Sequence, residues 1–293
     1  MAAPPSPSDP QDIAGGRYLP VWSMFQQISK EYANNDQIDD ICRTMGSKLI
    51  TIKEQARYVV ATGDHQSSEK VELHLRILWL LFYNAARFCS AKHKDRLVVE
   101  LMLIHGIGTL PETRESDNAD PKERNPLTTS KGVLWSDMPF LVEDMAHHWT
   151  KDCAAMSRTQ RRNLHSFLAT VGGVGVQDKL CSVGIVVLRD TFETPRERGD
   201  DGIEDLEDEG RTMDSLTVAD LFDAAKCWMV IAWDRFDRLA EQGFRDIPDG
   251  LGQLGPLAKQ AGVPDNGGFS VERLSFWRSR YRECSGPDTP LRP

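Results

Sequence analysis

The 293-residue sequence has no closely spaced cysteine pair: Cys42, Cys89, Cys153, Cys181, Cys227 and Cys284 lie at least 28 positions apart. Structural zinc sites bring at least one close pair such as C-x-x-C, so the spacing predicts no metal and reduced thiols that act as small apolar side chains. Long apolar runs are missing too. The most continuous, Ile77 to Tyr83, is far short of the roughly 20 residues that span a bilayer. The opening MAAPPSPSDPQ has neither a basic stretch nor an apolar one, no Asn-x-Ser/Thr sequon occurs, and the Thr289–Pro293 end is no lipidation or sorting address. These absences predict a cytoplasmic protein without a membrane segment. A basic excess is lacking as well. With 35 Lys and Arg against 44 Asp and Glu, the net charge of −9 argues against a general nucleic-acid binder. Neither a period-2 alternation nor an internal repeat is found, and that excludes most β architectures and solenoids.

What is present is 40% hydrophobic and 27% charged, a globular composition. Residues 1–16 form a Pro/Ser-rich tail expected to be disordered, and 285–293 a second one. Between them the apolar spacing predicts a single all-helical domain over 17–284, with mobile insertions at 111–131 and 193–214. Predicted helices start at Val21 (Phe25, Ile28, Tyr32) and run over 35–62, from Ser67-Ser68-Glu69 to Cys89, and over 92–105. Others lead from Trp135–Pro139 through Trp149, cover 158–171 and run from Thr217 to Gly243. The last, 271–284, is capped by Ser270. The centre of the third helix, Ile77–Phe82, is apolar on all sides, as in a helix buried within a bundle. Residues 174–192 are ambiguous. Val183, Ile185, Val186 and Val187 favour a strand, but no other run could pair with it, so helix is expected there too. The fold class is all-α.

The acidity is local. Nine acids lie between Glu193 and Glu209, offset by Arg196 and Arg198, and this stretch holds −7 of the net charge. A block so dense is expected to stay solvated. Within it, Asp200-Asp201-Gly202-Ile203-Glu204-Asp205 is similar to the aspartate-rich motif of terpene and prenyl-diphosphate synthases, whose carboxylates hold Mg²⁺ against a diphosphate. Here the carboxylates lie among glycines, and no second N-D-x-x-S-x-x-x-E motif accompanies them. Glu143/His147 and Asp144/His148 are i,i+4 pairs on one helix, half of a metal site at most, with His165 the nearest further ligand. Gly172-Gly173-Val174-Gly175 does not have the dinucleotide order, and no P-loop or G-x-S-x-G elbow occurs. The basic stretches are Arg158/Arg161/Arg162 and Arg273/Arg278/Arg280/Arg282. In the second, Phe276 and Trp277 are expected to dock on the bundle while the arginines face water or an acidic neighbour.

Four segments together resemble a fungal, largely ascomycete family called domain of unknown function 3632. They are Leu78-Trp79-Leu80-Leu81-Phe82, Trp135-Ser136-Asp137-Met138-Pro139-Phe140 and Asn163-Leu164-His165-Ser166-Phe167-Leu168-Ala169. The fourth is the closing pair, with Ala224-Ala225-x-x-Trp228 and Phe269-Ser270-x-x-Arg273-x-x-Phe276-Trp277. The resemblance covers most of residues 20–283. It implies no activity and no catalytic residues, and relatives encoded beside secondary-metabolite genes imply an accessory role in such a pathway. The resulting expectation is a non-catalytic helical binding or accessory protein without cofactor or metal, whose partner is a small molecule or a protein. The alternative is a terpenoid-type or metal-dependent enzyme using the Asp200-Asp201-x-x-Glu204 loop.

Overall fold

The computed structural model describes residues 50–56, 58–59, 62, 65–88, 91–107, 127–200 and 206–285. The expected helix from Val21, the 35–49 part of the next, Cys42, Cys89, and residues 1–16, 111–126 and 286–293 lie outside these residues. The described chain is all-α apart from one short hairpin. It divides into two compact units, Met1–His93 with Val99–Asp144, and Lys94–Val98 with Met145–Pro293.

In the first unit, α1 (His65–Phe88) carries the run apolar on every side. Ile77 to Tyr83 are all buried, and Trp79 is fully so. A buried indole needs an acceptor for its N–H, and Trp79 Nε1 donates to the Pro139 carbonyl at 2.7 Å. Helix α2 follows at Ala91–Ile107. The end of the 111–131 stretch forms a hairpin with the residues after it, β1 (Thr128–Thr129) with β2 (Gly132–Val133). Two residues per strand are too few to show alternation in a sequence. Its turn is tied back to α1, where Glu72 Oε1 accepts the Ser130 N–H at 2.6 Å. The segment after it is strained, with Trp135, Met138 and Phe140 at φ of 70°, 43° and 68°. Bulky residues rarely hold such angles unless their surroundings over-determine them. Here Asp137 Oδ2 accepts the Val133 N–H, and Arg76 grips Asp144 through Nε and Nη2 while lying over the Phe140 ring.

Helix α3 (Leu141–Asp152) leads to the second unit's elements. Helix α4 (Arg158–Gly173) opens with a capping box between Ser157 and Gln160. A 3₁₀ turn (Asp178–Leu180) precedes α5 (Cys181–Leu188), in which every residue is buried. The ambiguous 174–192 stretch is therefore helical. An element buried on all sides without a neighbouring strand must satisfy its backbone internally, and that overrides the β preference of its valines. Gly184 makes the packing possible. A Cβ there would lie 2.7 Å from Phe236 Cζ and 2.8 Å from the Trp228 ring. A π turn (Arg189–Glu193) continues α5.

The single helix expected from Thr217 to Gly243 is two helices, α6 (Val218–Ile231) and α7 (Trp233–Glu241), separated at Ala232 with φ −106° and ψ 7°. The end of α4 presses on the break. A Cβ on Gly173 would meet the Ile231 carbonyl at 3.0 Å and Ala232 Cα at 3.5 Å. The break leaves Phe236 stacked on Trp228 at 5.8 Å and 14°. Because the buried stripe carries on across it through Ala232, Phe236 and Leu239, apolar spacing does not reveal it. Beyond, α8 (Pro256–Gln260) is a single short helix in an otherwise irregular stretch, and α9 (Val271–Ser285) closes the fold. Ser270 Oγ accepts the Arg273 N–H, the cap read from the sequence.

Two substitutions test this packing. Trp79→Ala removes the largest side chain of α1's buried run and is expected to cost about 3–5 kcal/mol in denaturant unfolding. Gly184→Ala adds one methyl where two aromatic rings already touch and is expected to cost about 1–3 kcal/mol.

Candidate functional site around the π turn

Three tryptophans of the second unit, each fully buried, direct their indole N–H at a titratable side chain. Trp149 Nε1 donates to Asp190 Oδ2 at 3.1 Å, Trp228 Nε1 to His165 Nδ1 at 3.0 Å, and Trp277 Nε1 to Glu193 Oε1 at 2.7 Å. Asp190 and Glu193 both belong to the π turn. A π turn closes i to i+5, and such turns are frequent at functional sites. The Thr194 hydroxyl, donating to the Arg189 carbonyl, continues that spacing.

Glu193 is the correction with the largest consequence. It was counted with the solvated acidic block, but it is fully buried against Arg273, which is 1% exposed. Glu193 Oε1 accepts from Arg273 Nε at 2.7 Å, and Oε2 accepts from Arg273 Nη2 at 3.1 Å and from the Gly255 N–H at 2.6 Å. The guanidinium's remaining donors go to carbonyls: Nη1 to Gly252 and Gly268, Nη2 to Gln253. All five N–H groups of Arg273 are thereby used. Local sequence explains the burial. Glu193 lies five residues past Leu188, the end of the buried run that starts at Leu180, and Arg273 lies one helical turn before Trp277 on the inward stripe of α9, with its guanidinium 5.0 Å from that ring.

His165, singled out as a spare metal ligand, is instead a core residue. Trp149 meets it edge-on at 4.3 Å and 88°, and the bond from Trp228 fixes Nδ1 as the acceptor. Nε2 then carries the proton, and it is buried without a hydrogen-bond partner. Burial pushes the imidazole pKa down to about 3. Burial also raises the pKa of Asp190, against the pull of the Arg189 charge and the Trp149 hydrogen bond. The thiols move the same way: Cys153 is pushed up, and Cys181 and Cys227 reach about 12, again through burial. These cysteines are free.

The other residues singled out in the sequence do not converge. Asp144 pairs with Arg76 at 2.7 Å. Asp200 is exposed, and its carbonyl accepts from Arg158 Nη2 at 3.4 Å. Asp201, Glu204 and Asp205 lie outside the described residues. Among the described residues no group of three His, Cys, Asp or Glu is placed to hold a metal ion. Nor do the basic stretches form a surface patch. Arg161 is fully buried and donates to the carbonyls of Cys153 and Asp220, while Arg273 is the core cation just described. Arg278 does face an acidic neighbour, Asp237, at 3.1 Å. The acidic block is partly structured beside Glu193 as well: Glu207 accepts from Gln160, and Arg196 donates to the carbonyls of Asp190 and Leu216.

This ordered core is where likeness to known proteins falls. A family model described as a protein of unknown function, DUF3632, matches residues 79–281. The chain belongs to that family. Trp79, Trp149, His165, Glu193, Trp228, Arg273 and Trp277 all lie within the DUF3632 match. The chain is also similar to the oxopyrrolidines biosynthesis cluster protein G of Penicillium oxalicum, with 34% identity over 223 residues. The aligned part is 74% of this chain and 61% of that relative, so this chain spans less than two thirds of the relative's length. No solved structure matches. Among the described residues no helix is long and apolar enough to cross a membrane.

The state of His165 has a measurable consequence. Its folded pKa of about 3 lies below the ordinary 6.5, so the unfolded chain binds the extra proton first. The stability held by neutral His165 is therefore full above pH 6.5 and is lost as pH falls, by about 1.4 kcal/mol per pH unit. Denaturant unfolding at pH 7 and pH 5 is expected to show about 2 kcal/mol more acid destabilisation for the native protein than for His165→Asn. Asp190 shifts stability the opposite way, and it cancels in this difference. Equal acid losses in the two proteins would refute the assignment.

Proposed function

We propose that this member of DUF3632 is a non-catalytic helical binding or accessory protein of a fungal secondary-metabolite pathway, acting in the cytoplasm on a small molecule or a protein partner. The observation that carries this reading is the similarity to a protein named for an oxopyrrolidine biosynthesis cluster. The chemistry of the core supports the non-catalytic part. Glu193 spends both oxygens on Arg273, Trp277 and Gly255, and the buried cysteines are held as thiols. Groups in these states shape a core and are poor nucleophiles or bases.

Deleting the gene and profiling metabolites tests the pathway role. Loss or change of a secondary metabolite is expected, and an unchanged profile under conditions where the gene is expressed would count against it. The enzyme alternative is tested on the purified protein. Replacing Asp200, Asp201, Glu204 and Asp205 by Asn or Gln is expected to change stability by no more than about 0.5 kcal/mol. The hydrogen bond from Arg158 to the Asp200 carbonyl is a backbone contact and survives the change. Titration with a prenyl diphosphate, with and without Mg²⁺, is expected to show no metal-dependent binding. Tight Mg²⁺-dependent binding abolished by those substitutions would make the protein an enzyme candidate.

A further inference from the structure

The stretch from Arg245 to Phe269 has little regular structure, only α8. Its backbone–backbone hydrogen bonds beyond those internal to α8 stay within the stretch: Ile247 to Arg245, Leu251 to Pro248, Lys259 to Gly255, Ala261 to Leu257, Gly262 to Lys259, Val263 to Ala258 and Asn266 to Pro264. It also closes on itself sterically, since a Cβ on Gly252 would lie 2.0 Å from the Gly267 carbonyl oxygen. Its polar attachments to the rest of the unit, among the described residues, are few. Two are exposed, Lys179 to Asp246 and Arg189 to the Gly250 carbonyl. The buried ones all end on a single ion pair. Arg273 holds the carbonyls of Gly252, Gln253 and Gly268, and Glu193 holds the Gly255 N–H. Apolar contact adds Leu254, Ala258 and Phe269, the last with its ring 5.0 Å from that of Phe236.

We propose that residues 245–269 form a strap that opens as one unit, latched to the body by the Glu193–Arg273 pair. Detached from the body, the five-residue α8 and the short internal bonds are too brief to persist alone, so they are released together with the latch. One ion pair shares its hydrogen bonds among four points of the strap, so these points release together. Opening uncovers the Glu193 carboxylate and the Trp277 indole N–H, both closed to any ligand in the latched state. Helices α4 and α6, which pack on each other behind the π turn, keep their own contacts.

Native-state hydrogen exchange on the unmodified protein, at denaturant concentrations below the unfolding midpoint, tests this directly. The amides of Gly255, Lys259, Ala261 and Val263 are expected to converge on one exchange rate, at least about tenfold faster than the slowest amides of α4 and α6. A Gly255 amide that exchanges only with α4 and α6, or four amides that exchange independently, would overturn the proposal. A wedge supplies the second arm. Gly255 has an extended conformation that alanine tolerates, at φ −78° and ψ 168°. A Cβ there would meet the Glu193 backbone at 2.8 Å from O and 3.0 Å from C. Gly255→Ala is expected to speed exchange of the strap set about tenfold or more while α4 and α6 keep their rates. Lys179→Ala, which removes an exposed tether, should change neither. Equal acceleration of α4 and α6, or failure of Gly255→Ala to fold, would show that the stretch is part of the core and not a strap.

Discussion

A carboxylate and a guanidinium that are almost entirely out of water, Glu193 and Arg273, set the terms for much of the second unit. Removing two such charges from solvent costs several kcal/mol per ion, and their attraction offsets this only when the remaining donors and acceptors are also satisfied. Here they are satisfied by parts of the chain far apart in sequence. The pair draws in the π turn that ends α5, the Gly252–Gly255 and Gly268 backbone, and the Trp277 indole on α9. A chain that misplaced any of these would bury an unpaired charge or an unpaired peptide group. The pair is thus a demand for one arrangement more than a source of net stability.

The tryptophans extend the same logic. A large ring supplies apolar area, but its N–H must find an acceptor. Trp79 uses a proline carbonyl, which has no other obligation in a helix or strand. Trp149, Trp228 and Trp277 use side chains on neighbouring elements. Each bond fixes the rotation of one helix relative to the element it faces, where aliphatic contacts alone would tolerate a slip. The stacked Trp228 and Phe236 rings, with Gly184 beneath them, complete this network and leave no room for an added methyl.

Much of the helical layout was legible because it follows local rules. The buried centre of α1, the Thr217 and Ser270 caps and the helical character of 181–188 all follow from apolar periodicity, capping chemistry or the want of a pairing strand. The elements that escaped depend on contacts distant in sequence. The break at Ala232 comes with the close approach of Gly173, and the stripe continues through it unchanged. The β1–β2 hairpin is too short to show a period. Glu193 was grouped by composition with eight acids that follow it, when its structural neighbours are the apolar residues that precede it. One signal was available: Arg273 and Trp277 occupy the inward stripe of α9, and a buried arginine requires a buried acid somewhere in the chain.

The π turn is the local device that makes Glu193 that acid. In an α-helix the residue stacked one turn beyond Leu188 is Phe192, at i+4. Closing the turn at i+5 brings Glu193 beneath Leu188 as well, so that Phe192 and Glu193 are both buried. The turn is wide because a side chain of opposite character had to be admitted to an apolar column, and Arg273 with its carbonyl ligands is what receives it. An α-helical continuation would rotate the carboxylate away from α9 and leave the Arg273 guanidinium with its three carbonyl partners but no counter-charge. The rare geometry of the turn, the buried arginine and the irregular Gly-rich stretch 245–269 that supplies its carbonyl ligands are therefore three expressions of one constraint.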